Sequence, residues 1–326
     1  MRNDMTNSAS AQRTESAPAL TKTRTILFLI VWLASLVPFR GLLARMAVLA
    51  IEDERYTHIV VVPVVSALFI WTRLERLFRV SRYSPESGIP ILLAGFCLAF
   101  VPMGWSGFDE NEHLSAIACG MLLTWIGLGA LFFGAACLRE ATFPLLFLFL
   151  VVPVPANVLD RAVTALQMAS AEMTTGVFKV IGMPFLRHGF TFSLPGIDIE
   201  IAKECSGIRS SLSLLLSAIV VGYLFLRSAW SQLVLAVVTV PIVIFKNAVR
   251  IAIISWLGIY VDRSFFFGSL HHRYGGAVFS VIAIALMGFV LWFLYRTERF
   301  GKRAGTRREE PTSTIGIEAP KSIGRV

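Results

Sequence analysis

Six consecutive residues, Glu204-Cys205-Ser206-Gly207-Ile208-Arg209, bring a carboxylate, a thiol and a guanidinium together where a charged stretch gives way to the apolar run 212–226. Two further sets follow: Asn247 and Arg250 within an apolar segment, and the pair His271-His272. A cysteine attacks only as its thiolate, and a cation or a helix N-terminus nearby lowers its pKa. Cys205 opens a predicted helix, with Arg209 one turn further along it, so both devices are within reach. A histidine can carry a proton to the leaving amine of an acyl transfer. A carboxylate close to the sulfur opposes thiolate formation; orienting an arginine and contacting a substrate are both open roles for Glu204.

Each residue alone has a simpler explanation. A cysteine at a helix end packs, an arginine near a span end snorkels, and loop histidines are merely polar. Only a shared location turns them into a site, so the elements that carry them decide the matter.

The chain of 326 residues is 56% hydrophobic and 16% charged, with mean hydropathy +0.70, which excludes an ordinary water-soluble domain. Apolar blocks of about fifteen to twenty-odd residues separated by polar punctuation predict membrane-spanning helices, since lipid offers the backbone no hydrogen-bond partners. Strict alternation of the barrel type is missing. The formal charge of +9 is gathered in loops rather than along a stripe, so it signals topology and excludes nucleic acid as a partner. Cys97, Cys119 and Cys137 lie in or beside apolar blocks as small hydrophobes, and the four cysteines form neither a disulfide scaffold nor a zinc pattern. With no metal-ligand spacing and no phosphate-binding glycine loop, no cofactor is expected.

Residues 1–24 read as a disordered cytoplasmic tail, 25–295 as a polytopic membrane domain and 296–326 as a basic cytoplasmic tail. Spans are predicted over about 25–39, 59–71, 88–104, 114–136, 141–152, 206–226, 230–250 and 274–295. Between the fifth and sixth lies an insert, 156–204. Its first part is spaced as an amphipathic helix lying at the interface. It closes in a small β-hairpin, Gly189-Phe-Thr-Phe-Ser and Ile197-Asp-Ile-Glu-Ile around Leu194-Pro195-Gly196. Placing the Arg73 to Arg82 loop, Arg139, Arg227 and the C-terminal tail inside gives about eight spans, provided that 251–261 re-enters or lies at the surface. Cys205, Arg250 and His271-His272 then share the extracytoplasmic face. His113 and His188 are expected as interfacial or loop histidines.

Three boxes, Cys205-Ser-Gly-Ile-Arg209, Asn247-Ala-Val-Arg250-Ile, and His271 followed by Gly275 and Phe279, resemble in order and spacing the signature regions of the exosortase/archaeosortase family. The resemblance extends to Tyr56-Thr57-His58 and to the segment from Pro144 to Pro155. It implies a membrane cysteine peptidase or transpeptidase of the plasma (inner) membrane. The expected partners are exported proteins bearing a C-terminal sorting signal of the Pro-Glu-Pro type, a transmembrane helix and basic residues. By the same resemblance Cys205 is the nucleophile, Arg250 supports the thiolate or the oxyanion, and His271, with the matching distances to Gly275 and Phe279, is the acid/base. Arg209, Asn247, Glu204, His272 and His58 are supporting or substrate-binding candidates, although Ile59 follows His58 where the family often has glycine, and Lys246 adds a charge beside Asn247. The competing reading, a transporter or a scaffold for polysaccharide export, explains the spans but gives no reason for a thiol beside two arginines.

Overall fold

The computed structural model describes residues 22–53, 56–100, 110–201, 208–262 and 275–308, with the side chains of 110, 208–210, 275–277 and 300–308 excepted. The chain divides into two compact units, 1–166 and 167–326.

In the first unit, α1 (Lys22–Ser35) and α2 (Arg40–Glu52) are bent by 73° about the turn 36–39. Pro38 lies in that turn, and a proline disfavours helical geometry in the residue before it. The stretch between the first two predicted spans is therefore mostly helix, because 40–52 carries enough apolar residues to bury Leu42, Met46 and Ala50. A second bend of 64° separates α3 (His58–Trp71) from α4 (Leu74–Val80).

The pair α5 (Pro85–Phe100) and α6 (Glu110–Glu140) is the most tightly built part of this unit. Gly88 and Gly95 on α5, and Gly120 and Gly127 on α6, recur every seven residues, so each pair lines one helix face. A Cβ at Gly95 would stand 2.5 Å from the Thr124 nitrogen, and one at Gly120 would stand 2.5 Å from that of Ala99. The two backbones touch, as small residues allow between helices in lipid. α6 kinks at Gly134 (φ 85°), where a Cβ would meet the Arg82 carbonyl oxygen at 2.6 Å. The Leu131 and Phe133 carbonyls accept the backbone N–H groups of Ser84 and Arg82 instead. α7 (Thr142–Leu148) tightens into a 3-10 turn over Phe149–Val151, and Pro153 and Pro155 precede α8 (Ala156–Val180) across a bend of 91°.

The second unit contains the rest of α8, a three-stranded sheet, and the helices α9 (Ile208–Phe225), α10 (Ala229–Tyr260) and α11 (Gly275–Arg308). The strands β1 (Leu186–His188), β2 (Thr191–Leu194) and β3 (Ile197–Glu200) form an antiparallel meander in that order. Leu194 pairs with Ile197 across Pro195-Gly196, and φ of +83° at Gly196 after a proline is the pattern of a type II turn. Strand β1 was not expected: Leu-Arg-His has no alternation of its own and becomes a strand only through pairing with β2. Phe192 lies at the centre of an aromatic core, 5.5 Å from Phe178 edge to face and 5.8 Å from Phe185, with Met183, Leu194, Ile201 and Ala252 around it. A separate apolar core joins α9, α10 and α11 through Leu214, Ala218, Leu235, Val243, Ala283 and Met287. The Glu298 carboxylate on α11 accepts the backbone N–H groups of Arg227 and Ser228, both at 3.0 Å, at the start of α10.

The protein is a largely helical, multi-pass membrane protein with one small sheet. Among the described residues three helices are each long and apolar enough to cross a bilayer: Asn111–Glu140, Ala229–Tyr260 and Val278–Arg299. The three bent pairs qualify as one broken or re-entrant segment each, giving up to six, while Pro85–Phe100 and Ser211–Phe225 are shorter apolar helices. The segment 251–260 neither turns back nor separates as an interfacial element. It continues α10 for 32 residues in all, a rod of roughly 48 Å that exceeds the hydrocarbon layer.

Candidate functional site

Of the residues expected to do chemistry, α10 carries two. Asn247 is fully buried and its Nδ2 donates to Ser170 Oγ on α8 at 3.2 Å. Arg250, one turn later, is half-buried. Ser170 is itself fully buried, and its carbonyl accepts the Thr174 hydroxyl at 2.7 Å. The reason α10 can hold the Asn247 amide here is that Ser170 on α8 supplies its polar partner. A lone amide in an apolar helix bundle would cost free energy without such a partner.

Two neighbours have no role assigned from the sequence: Lys246 counts there only as a charge beside Asn247, and Gln167 gives no signal. Lys246 is only 5% exposed although it sits in the apolar run of a spanning helix, four residues before Arg250. A charged residue within such a run was the available signal, since polar groups at membrane depth are rare without a function. Gln167, also buried, donates from Nε2 to the Ile201 carbonyl at the end of the sheet. Nothing local distinguishes this glutamine, because its partner is 34 residues away.

Cys205, Glu204, His271 and His272 lie outside the described residues, as does the side chain of Arg209, which belongs to the first turn of α9. His58 opens α3 in the first unit and stacks on Tyr56, with ring centroids 6.2 Å apart. At the periphery of the insert, Arg187 pairs with Glu172 at 2.9 Å and lies over the Phe192 ring. Its hydrogen bond and charge hold the exposed Glu172 carboxyl below the usual carboxylate range. Among the described residues no group of three or more His, Cys, Asp or Glu side chains could hold a metal ion.

A family model described as transmembrane exosortase matches residues 48–288, well over half of the chain. The chain belongs to the transmembrane exosortase family. The exosortase match begins within α2, ends within α11 and encloses His58, Glu204, Cys205, Arg209, Asn247, Arg250, His271 and His272. No curated protein and no solved structure matches the chain. The exosortase assignment therefore stands on the family pattern together with the multi-pass helical fold.

Proposed function

We propose that this exosortase is a cysteine peptidase or transpeptidase that cleaves the C-terminal sorting signal of exported proteins at the outer face of the plasma (inner) membrane. The reading carries eight spans with both termini cytoplasmic, and with Cys205, Arg250 and His271 facing outward. The substrate's C-terminal helix lies in lipid against the spans and brings the scissile bond to the surface. The Cys205 thiolate adds to the peptide carbonyl, and Arg250 stabilises the oxyanion. The C–N bond breaks as His271 protonates the leaving amine, leaving a thioester that water or an acceptor amine resolves. Arg209, Asn247, Glu204, His272 and His58 support this site or contact the substrate.

The observation that carries the reading is the family match over residues 48–288, which contains all three boxes in order. Cys205→Ala is expected to reach the membrane in normal amount and to abolish processing of a reporter bearing such a signal. Unchanged processing by Cys205→Ala would reject Cys205 as nucleophile.

A further inference from the structure

Where α1 and α2 bend by 73°, the crook of the bend and the first turns of α6 frame a cleft of about 540 Å³. One wall is Pro38, Gly41, Leu42 and Arg45, at the three- and four-residue spacing of a single helix face, and α6 answers with His113 and Ile117. The volume lies within the range of ligand clefts, about 300–1,000 Å³. The chemistry proposed above uses none of these residues.

The walls are aliphatic, and the two ionisable side chains in the cleft, Arg45 and His113, are both of the basic kind. Glu112, beside His113 in sequence, is not part of the lining. Gly41 differs from the glycines between α5 and α6: a Cβ there would meet nothing within 4 Å. It borders open cleft rather than a neighbouring backbone. With one arm of the bend along the bilayer normal, the other lies nearly in the membrane plane at headgroup depth. A helix so placed sinks its apolar side and keeps its cations among the headgroups. Helix α2 is built that way, with Leu42, Met46 and Ala50 buried and Arg45 exposed. A small free anion would leave the aliphatic walls wet, and a neutral hydrocarbon would leave the guanidinium unused. An anionic phospholipid satisfies both.

We propose that the cleft between α2 and the N-terminal end of α6 holds one anionic phospholipid, with its phosphate on Arg45 and His113 and an acyl chain along Gly41, Leu42 and Ile117. The planar guanidinium matches a phosphate through two parallel hydrogen bonds, and the imidazole supplies a further N–H. The acyl chain fills the space that the bend opens and that no side chain of Gly41 occupies. The site lies within the first unit and is independent of the cysteine chemistry.

The test is native mass spectrometry of the full-length protein, delipidated in mild detergent and titrated with phosphatidylglycerol or phosphatidylcholine. The parent is expected to retain one phosphatidylglycerol in preference to phosphatidylcholine; equal retention of the two overturns the headgroup assignment. Arg45→Gln is expected to weaken phosphatidylglycerol retention about fivefold, the effect of one cation close to an anionic headgroup, and to leave phosphatidylcholine unchanged. Arg40→Gln removes the same charge from the same helix outside the cleft and is expected to leave retention in place. An equal loss in Arg40→Gln would reduce the effect to general electrostatics and overturn the site. Gly41→Phe fills the cleft from a position with no neighbour to displace, and is expected to lose the bound lipid while remaining monodisperse. Retention at the parent level in Gly41→Phe overturns the cleft as the binding place, and if that variant does not fold, Arg45→Gln against Arg40→Gln decides. Glycerol 3-phosphate at the lipid's concentration is expected not to displace phosphatidylglycerol; displacement would mark a site for a free anion and overturn the lipid as occupant.

Discussion

The α5–α6 pair and the α8–sheet–α10 assembly solve the same problem in opposite ways. Helices in lipid gain little by burying apolar surface against one another, so association needs close contact or polar partners. In the first region glycines remove side chains until backbone meets backbone, and Thr124, at the crossing, turns its hydroxyl to Gly120 of its own helix. In the second region side chains fill the space: three interlocked phenylalanines close the core, and buried amides and hydroxyls make directed contacts between elements. A region held by contact between backbones is sensitive to any added atom. One held by side chains is sensitive to what is taken away, and it is this second kind that surrounds Asn247 and Arg250.

The comparison can be broken at three places. The largest effect is expected for Phe192→Ala, which empties a site with no solvent exposure and should cost about 3–5 kcal/mol. Thermal unfolding in detergent, together with protease sensitivity of the 181–201 segment, measures it. A transition temperature equal to the parent's would show that the aromatic core does not hold the sheet. Next, Gly95→Val pushes a branched side chain into the Thr124 backbone and should cost at least about 3 kcal/mol, at the upper end of overpacking penalties. Its signature is loss of monodisperse protein on extraction, and tolerance of valine there would contradict backbone contact. The smallest effect is expected at Gly222 on α9, where a Cβ meets nothing nearer than Leu235 Cδ2 at 3.4 Å. Gly222→Ala should leave stability unchanged or raise it by up to about 1 kcal/mol through helix propensity. A marked loss in that variant would show that α9 meets α10 as closely as α5 meets α6.

How much was legible follows the range of the interactions involved. The hairpin turn was readable because Pro195 fixes its own φ and Gly196 accepts a positive one, both local properties. Strand β1 was not, because its only warrant is the neighbouring strand. The long apolar runs behind α6, α10 and α11 were readable as spans. The bends at 36–39 and Gly134 were not, since the α6 kink depends on carbonyls finding partners at Arg82 and Ser84. The ending of α10 was misjudged for a related reason: topology counting required 251–261 to leave the membrane path, and a helix can satisfy that by simply continuing. Asn247 and Arg250 were singled out by type and spacing, whereas Gln167 gave no sign of its role.

By itself the sequence determined the family, the membrane setting, the order of the three boxes and the turn that begins β3. These depend on composition, on period and on residue types a fixed number of positions apart, all of which are written along the chain. Tertiary structure alone decided that α5 and α6 meet backbone to backbone. It also decided that Lys246 is buried, and that one face of α8 ties the Ile201 carbonyl and Asn247 into a single frame. Partners 34 and 77 residues apart are chosen by how whole elements pack, and no local pattern can carry that choice.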